Sequence, residues 1–279
     1  MMKKERRTKM KNRICFTCTC LRSKETILSF KPLFKEGFGG VEMFYPYNME
    51  QSKKDEYKEA VKELIKDEDI TMVMHLPHGK ISDLSRDDDK EYEKEVFQRY
   101  LDAIDYGKEF GVERYTLHLG VRSINGHNNS IDGLIEKVKK LCDRAYPAKI
   151  MIENMPSNFE FGAYSDELRF LFNKINKPNL RLIYDTGHGH VAMKSTVLEK
   201  KLLDDFKDEL YHFHINDNDT TRDMHGKIGS GTVEFEKIFK DLKKNNYQGL
   251  FCLEILFSTV DDLREYANSL KSILNKLDI

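Results

Sequence analysis

Eight short apolar runs, each followed by a longer amphipathic segment, divide this chain of 279 residues. The runs occupy residues 13–20, 40–45, 70–76, 114–120, 149–155, 181–187, 210–217 and 250–256. Between them, apolar residues recur at three- and four-residue spacing, as Val96, Tyr100 and Ala103 do, and this spacing predicts helices. Strands that are separated by helices pair in parallel. Eight such units predict an α/β fold, a (β/α)8 TIM barrel.

The alternative to a closed barrel is an open doubly wound sheet, but no Gly-x-Gly-x-x-Gly turn follows the first run. A barrel typically needs about 250 residues. No linker or low-complexity stretch divides the chain, so we favour one domain over two smaller ones. We predict that residues 1–12 form a basic, poorly ordered tail rather than a signal peptide. Residues 13–279 are then the barrel.

Charge and cysteine content restrict the partners and the compartment. The formal net charge is −1, which disfavours a general nucleic-acid binder without excluding a nucleic-acid role. No apolar run approaches the ~20 residues of a membrane helix. The five cysteines are odd in number and mostly lie in apolar runs, which predicts reduced thiols in a cytoplasmic protein. The sequence leaves the oligomeric state open, and a homo-oligomer is compatible with it.

Carboxylates and histidines stand at or near the ends of seven of the eight runs. They are Glu42, His75, His118, Glu153, Asp185, His214 and Glu254, and His188, Asp223 and His225 follow in the next loops. In a TIM barrel all strands end at one mouth, where the active site lies. A carboxylate in an apolar run is costly to bury unless it is paired or binds a metal. We therefore predict a divalent cation, and the imidazoles favour Zn, Mn, Fe or Co over Mg.

The order and spacing of these motifs resemble the xylose isomerase-like TIM-barrel superfamily, which includes sugar and sugar-phosphate isomerases and epimerases and the endonuclease IV family. The motifs are "GVEMF", "MHLPH", "YTLHLG", "MIENMP", "IYDTGHGHV", "FHINDN", "DMHGKIGSGTVEF" and "CLEI". Each is weak alone, but together they cover nearly the whole chain. The resemblance thus implies a metal-dependent enzyme built on a TIM barrel.

The two branches of the superfamily imply different metal sites. The ketose 3-epimerase branch implies one Mn-, Co- or Zn-like ion held by Glu153, Asp185, His214 and Glu254, with the two glutamates as acid and base and His188 on the substrate. The endonuclease IV branch implies up to three zinc ions. The additional ligands would be His75, His118, His188, Asp223 and His225. The set of ligands does not separate the branches.

Other motifs favour the sugar branch. "FKEGFGGVEMF", which includes Glu42, resembles the second-strand signature of sugar isomerases and epimerases, and "ENMPS" departs from the "ENTAG"-like residues of the endonucleases. The ketose epimerases' arginine after strand 7 has no clean match, which leaves the sugar undefined. The sequence predicts an isomerase or epimerase of a small sugar, ketose or sugar phosphate, with Glu42, His188 and Lys227 on the substrate. The alternatives are a multi-zinc phosphoesterase such as an abasic-site endonuclease, and a non-catalytic binding protein.

Overall fold

The computed structural model describes residues 13–122 and 129–279, and the predicted basic tail of residues 1–12 lies outside them. Eight parallel strands close into a barrel in chain order, with β1 paired to both β2 and β8. The strands are β1 (Ile14–Cys18), β2 (Phe38–Phe44), β3 (Thr71–His75), β4 (Arg114–Leu117), β5 (Lys149–Glu153), β6 (Leu180–Asp185), β7 (Leu210–Ile215) and β8 (Leu250–Leu253). The predicted (β/α)8 barrel is confirmed, and all eight apolar runs contain a strand.

Helices follow every strand and cover the outside of the barrel. Within the described residues they are α1 (Lys24–Leu28), α2 (Pro32–Lys35), α3 (Gln51–Ile65), α4 (Lys90–Lys108), α5 (Ile131–Ala145), α6 (Ser165–Ile175), α7 (Thr186–Met193), α8 (Thr196–Asp205), α9 (Phe235–Lys244) and α10 (Val260–Leu277). The crossovers after β1 and β6 each contain two helices. No helix in this part of the chain has both the length and the apolar character needed to cross a membrane.

Side chains alternate between two apolar layers, because successive residues of a strand point to opposite faces. The outer layer packs the strands against the helices and includes the fully buried Phe16, Tyr115 and Phe213. A smaller inner cluster fills the barrel interior and consists of Cys15, Val73, Met151, Ile183, Leu250 and Cys252. All five cysteines are free thiols. The inner cluster forms an apolar floor beneath the polar residues of the strand ends.

Candidate metal centre

Nine carboxylate and histidine side chains converge at the C-terminal mouth of the barrel in three groups. Within each group, one ligand atom per residue lies within 4.8 Å of the ligand atom of every other member. The central group is Glu153, Asp185, His214 and Glu254, the second is His75, His118 and Glu153, and the third is His188, Asp223 and His225. These nine residues are the ones that the motif order predicts as ligands. The mouth thus offers three adjoining positions for a divalent cation.

The central group places three carboxylates around one imidazole. Nδ1 of His214 lies 2.9 Å from Oε2 of Glu254 and 3.0 Å from Oε1 of Glu153. The same nitrogen lies 4.0 Å from Oδ2 of Asp185. Glu153, Asp185 and His214 have no solvent exposure. Four ligand atoms from four consecutive strands or strand ends thus face one point.

So many buried carboxylates require positive charge nearby. Burial raises the pKa of Asp185 to about 7 against the attraction of His188, and the charges of Glu153 and Glu254 add to the rise. Burial alone would lower the pKa of His214, but the surrounding carboxylates, Glu254 foremost, raise it well above its usual value. Oε2 of Glu254 is buried and, among the described residues, forms no hydrogen bond of good geometry, although Nδ1 of His214 lies 2.9 Å away. A divalent cation would supply the charge and the missing partner, so the donor set fits a metal.

Asp185 is held in place by hydrogen bonds at the junction between β6 and α7. It is the N-cap of α7, and its Oδ1 accepts a hydrogen bond from the backbone N–H of His188 at 2.6 Å. Its Oδ2 accepts one from Nδ2 of Asn216 at 2.7 Å. The backbone N–H of Asp185 donates to Oδ1 of Asn154 at 2.7 Å. The strand end, the helix cap and the metal-ligand position are therefore one structural unit.

The second group uses the other oxygen of Glu153. Oε2 of this carboxylate lies 2.9 Å from Nε2 of His118 and 3.9 Å from Nε2 of His75. Nδ1 of His75 lies 2.9 Å from the carbonyl oxygen of Leu76, so it can donate there and leave Nε2 as the ligand. Burial and the nearby His118 lower the pKa of His75. An imidazole that stays neutral is ready to bind a metal.

The third group joins the β6 and β7 ends. Oδ2 of Asp223 lies 3.3 Å from Nε2 of His188 and 3.0 Å from Nε2 of His225. Oδ1 of Asp223 is buried and has no hydrogen-bond partner in the part of the chain that the structure describes. Burial would lower the pKa of His225, but the hydrogen bond with Asp223 and the charge of Glu254 raise it to about 10. The protonated imidazole thus supplies charge that a bound cation would otherwise supply.

Two residues that the sequence assigns to the substrate form contacts within the protein. The strand end predicted at Glu42 is wrong, because β2 continues to Phe44, and the Glu42 side chain is fully buried in the barrel interior. There it contacts His214 and His212, which are also fully buried. Lys227 is about half exposed and forms an ion pair with Glu265 of α10 at 3.2 Å. Both charged groups are thus engaged with other side chains, and their contacts with a substrate stay predictions.

Several residues that support the ligands have no motif of their own in the sequence. Asn154 and Asn216 hold Asp185, and Thr116 donates to Glu42 at 2.7 Å. Asp217 accepts backbone hydrogen bonds from Gly229, Gly231 and Val233, which fixes the loop after β7. The only available signal was their position beside strand ends, as in "IENM" and "INDN".

The closed parallel barrel and its mouth of carboxylates and histidines define a class of TIM barrel suited to divalent metals. The chain belongs to the xylose isomerase-like TIM barrel family, whose model matches residues 30–276. It is 27% identical over 193 residues to an uncharacterized protein of Methanocaldococcus jannaschii, covering 67% of this chain and 64% of that protein, which is less than two thirds of its length.

Two other similarities lie in different branches of the family. The chain is 24% identical over 241 residues to a probable endonuclease 4 of Mycoplasma mobile, covering 82% of this chain and 83% of that protein. A crystal structure of a D-tagatose 3-epimerase-like protein superposes with a TM-score of 0.74 and 19% identity, covering 95% of this chain and 98% of the other. At this identity the second similarity concerns the fold alone.

Proposed function

We propose that this protein is a multi-metal phosphoesterase of the xylose isomerase-like family. The observation that carries the proposal is the position of Glu153, whose two oxygens face different groups of ligands. Oε1 lies 3.0 Å from Nδ1 of His214 in the central group, and Oε2 lies 2.9 Å from Nε2 of His118 in the second. A carboxylate that joins two metal positions is expected where several ions act together. A single-metal enzyme could use His188 on its substrate, but it has no evident use for the other four residues of the second and third groups, which are His75, His118, Asp223 and His225.

The chemistry follows from the donor set. Zinc-class ions bound by carboxylates and imidazoles supply Lewis acidity toward a phosphoryl oxygen and lower the pKa of water. The protein holds each donor in one orientation: Asn154 and Asn216 fix Asp185, and the carbonyl oxygens of Asn154 and Glu254 face Nδ1 of His188 and of His225. In both histidines Nε2 is then left to face Asp223. This preorganisation is what a metal-assisted hydrolase requires.

The substrate class is a phosphoester. The similarity to a probable endonuclease 4 supports DNA as one substrate, and the alternative of an abasic-site endonuclease makes DNA that contains an abasic site the first to test. The near-neutral net charge gives little support for a surface that follows a DNA backbone. Small phosphodiesters are therefore the second type of substrate to test.

The second candidate is a metal-dependent sugar isomerase or epimerase, which the central group favours on its own. Glu153, Asp185, His214 and Glu254 suffice for one Mn, Co or Zn ion, and the superposition on a D-tagatose 3-epimerase-like protein supports a sugar substrate. In that reaction Glu153 and Glu254 would move a proton beside the substrate carbonyl, while the ion would stabilise the developing negative charge. His188 would orient a substrate hydroxyl group.

Metal content and one variant distinguish the two functions. The purified protein is analysed for metals per chain and assayed with an abasic-site oligonucleotide, bis(p-nitrophenyl) phosphate and a set of ketoses and ketose phosphates. The phosphoesterase predicts about three zinc ions per chain, and we expect Asp223→Asn to reduce hydrolysis at least ~100-fold by removing the third position.

The outcomes of this experiment differ for the two candidates. About one ion per chain, with ketose turnover that Asp223→Asn leaves largely intact, would replace the phosphoesterase with the isomerase. A protein that binds no metal even after reconstitution with zinc, manganese or cobalt would contradict both. The non-catalytic binding role would then be the remaining interpretation.

A further inference from the structure

We infer that Glu42 is a positioning residue that fixes the metal-binding nitrogen of His214 from inside the barrel. The inference rests on the central metal position of the proposed function, and it replaces the substrate contact predicted for Glu42. It holds for either candidate reaction, because both use the central group.

The geometry links three strands that do not neighbour one another. Oε2 of Glu42, on β2, lies 2.8 Å from Nε2 of His214, on β7. Oε1 of the same carboxylate accepts a hydrogen bond from Oγ1 of Thr116, on β4, at 2.7 Å. All three side chains are fully buried. The carboxylate of Glu42 therefore connects β7 and β4 across the barrel interior, and each of its oxygens contacts one side chain.

This contact determines which nitrogen of His214 is free for a metal. An ionised carboxylate accepts hydrogen bonds and cannot donate them, so Nε2 of His214 carries the proton toward Glu42. Once the Nδ1 proton is displaced, the lone pair of Nδ1 would face Glu153, Asp185 and Glu254, where the central ion would bind. A carboxylate behind a metal-binding histidine also makes the imidazole a stronger ligand.

The alternative is that Glu42 is itself a metal ligand. Glu42, His212, His214 and Cys252 also have ligand atoms within 4.8 Å of one another. However, the oxygen of Glu42 nearest to Nε2 of His212, at 3.6 Å, is the one that contacts His214 at 2.8 Å. Because both oxygens of Glu42 already contact other side chains, the positioning role is favoured over metal binding. Cys252 would be a ligand only in the alternative site, so a spectroscopic signal from its thiol distinguishes the two roles.

The experiment compares Glu42→Gln and Glu42→Leu with the wild-type protein. Glutamine keeps the shape and an acceptor oxygen but loses the charge, whereas leucine removes the acceptor. Met151→Leu is the matched control, because Met151 belongs to the apolar cluster of the barrel interior and contacts neither Glu42 nor His214 through a hydrogen bond. Affinity for Zn²⁺ at the central position is measured by chelator competition and identified by its loss in Asp185→Asn.

We expect an affinity loss of about tenfold for Glu42→Gln and up to about 100-fold for Glu42→Leu, with no change for Met151→Leu. In histidine-labelled protein loaded with Zn²⁺, ¹⁵N NMR is expected to show the Nε2–H form of His214, assigned by its loss in His214→Asn. Glu42→Leu is expected to lose this form. A merely structural role for Glu42 would lower stability without changing the protonated nitrogen.

Two results would overturn the inference. One is an unchanged Zn²⁺ affinity in Glu42→Gln, which carries the test even if Glu42→Leu does not fold. The other is a sulfur-to-cobalt charge-transfer band in the Co²⁺-loaded wild-type protein that disappears in Cys252→Ala, since it would place an ion beside Glu42. If the wild-type protein has no Asp185-dependent metal binding, the proposed function itself fails.

Discussion

Glu153 belongs to two of the three proposed metal positions. Because its two oxygens belong to different groups, Glu153→Gln should remove the central and the second ion together, leaving about one ion per chain. Asp185→Asn affects only the central group and should leave about two. Elemental analysis of the two variants, loaded in parallel with Zn²⁺, measures the difference. Equal metal content in both would show that Glu153 does not join two positions.

Protons compete with the metal at three of the histidines. The pKa values of His188 and His214 are raised well above the usual range by neighbouring carboxylates that outweigh burial, and that of His225 is raised to about 10. Near neutral pH the three imidazoles are therefore protonated, and an ion must displace these protons to bind.

Metal affinity should therefore depend on pH. Below about pH 10, the raised pKa of His225, metal affinity should fall as the pH falls, by about tenfold per pH unit for each displaced proton. Chelator competition across this range and calorimetry in buffers of different ionisation enthalpy measure the slope and the proton release. Affinity that is independent of pH, with no proton release, would contradict this prediction.

The sequence predicts a set of candidate ligands, which the structure brings together at one mouth, but it does not predict what holds them. Six of the nine candidate ligands stand at strand ends, where a charged or imidazole group is conspicuous because the rest of the run is apolar. The other three, His188, Asp223 and His225, follow in the segments after β6 and β7. Asn154 and Asn216 are not conspicuous, since asparagine is common in loops. The partner of Glu42 could not be predicted either, because His214 is 172 positions away in the chain and meets Glu42 only across the closed barrel.

At the level of elements, the sequence predicts the alternation of strands and long helices because each apolar run must fit a buried parallel strand. The sequence does not predict the short helix α7. Its sequence, "TGHGHVAM", contains two glycines and no clear amphipathic spacing, so propensity opposes it. It forms because Asp185 caps it and because its glycines allow close contact with β6 and β7.

Gly187 in α7 has no room for a side chain. A Cβ atom there would lie 1.8 Å from Oδ1 of Asn216, the residue whose amide nitrogen holds Asp185. We expect Gly187→Ala to lower the free energy of unfolding by about 1–3 kcal/mol and to weaken metal binding at the central group. Thermal or denaturant unfolding and Zn²⁺ titration measure the two effects.

The matched control is Gly133→Ala in α5. A Cβ atom there would approach no closer than 3.4 Å to another atom outside the local chain. Alanine should therefore stabilise the helix by about 0.5–1 kcal/mol, without affecting metal binding. If Gly187→Ala resembled this control, the close packing of α7 would not be what positions Asp185.

On the scale of the whole molecule, barrel closure makes a site from residues spread along the chain. The ligands extend from His75 to Glu254, yet parallel strands bring their C-terminal ends to one mouth. The same topology places the apolar cluster of Cys15, Met151 and Cys252 beneath the mouth. The charged groups of the mouth thus lie above an apolar cluster that cannot solvate them. Because a bound cation would offset their charge, the stability of the barrel should depend on the cation.

Removal of metal should therefore destabilise the entire barrel. An ion that binds the folded chain alone stabilises it by about 2.7 kcal/mol at a concentration 100-fold above its Kd. For a domain of this size that corresponds to a Tm change of about 5–10 °C per occupied position. Differential scanning calorimetry with excess Zn²⁺ and after chelation measures the difference.

The variant Asp185→Asn is informative in the same measurement. It replaces a carboxylate whose burial is unfavourable in the absence of a cation, so we expect the chelated variant to be at least as stable as the chelated wild type near pH 8. Burial raises the pKa of Asp185 to about 7, so the wild-type carboxylate destabilises the chelated fold increasingly as the pH rises from about 4 to about 7. The variant should gain less from added Zn²⁺, because it lacks one ligand. A chelated wild type with the same Tm as the loaded protein would mean that the carboxylates of the mouth are stabilised by His188, His214 and His225 alone, without a metal.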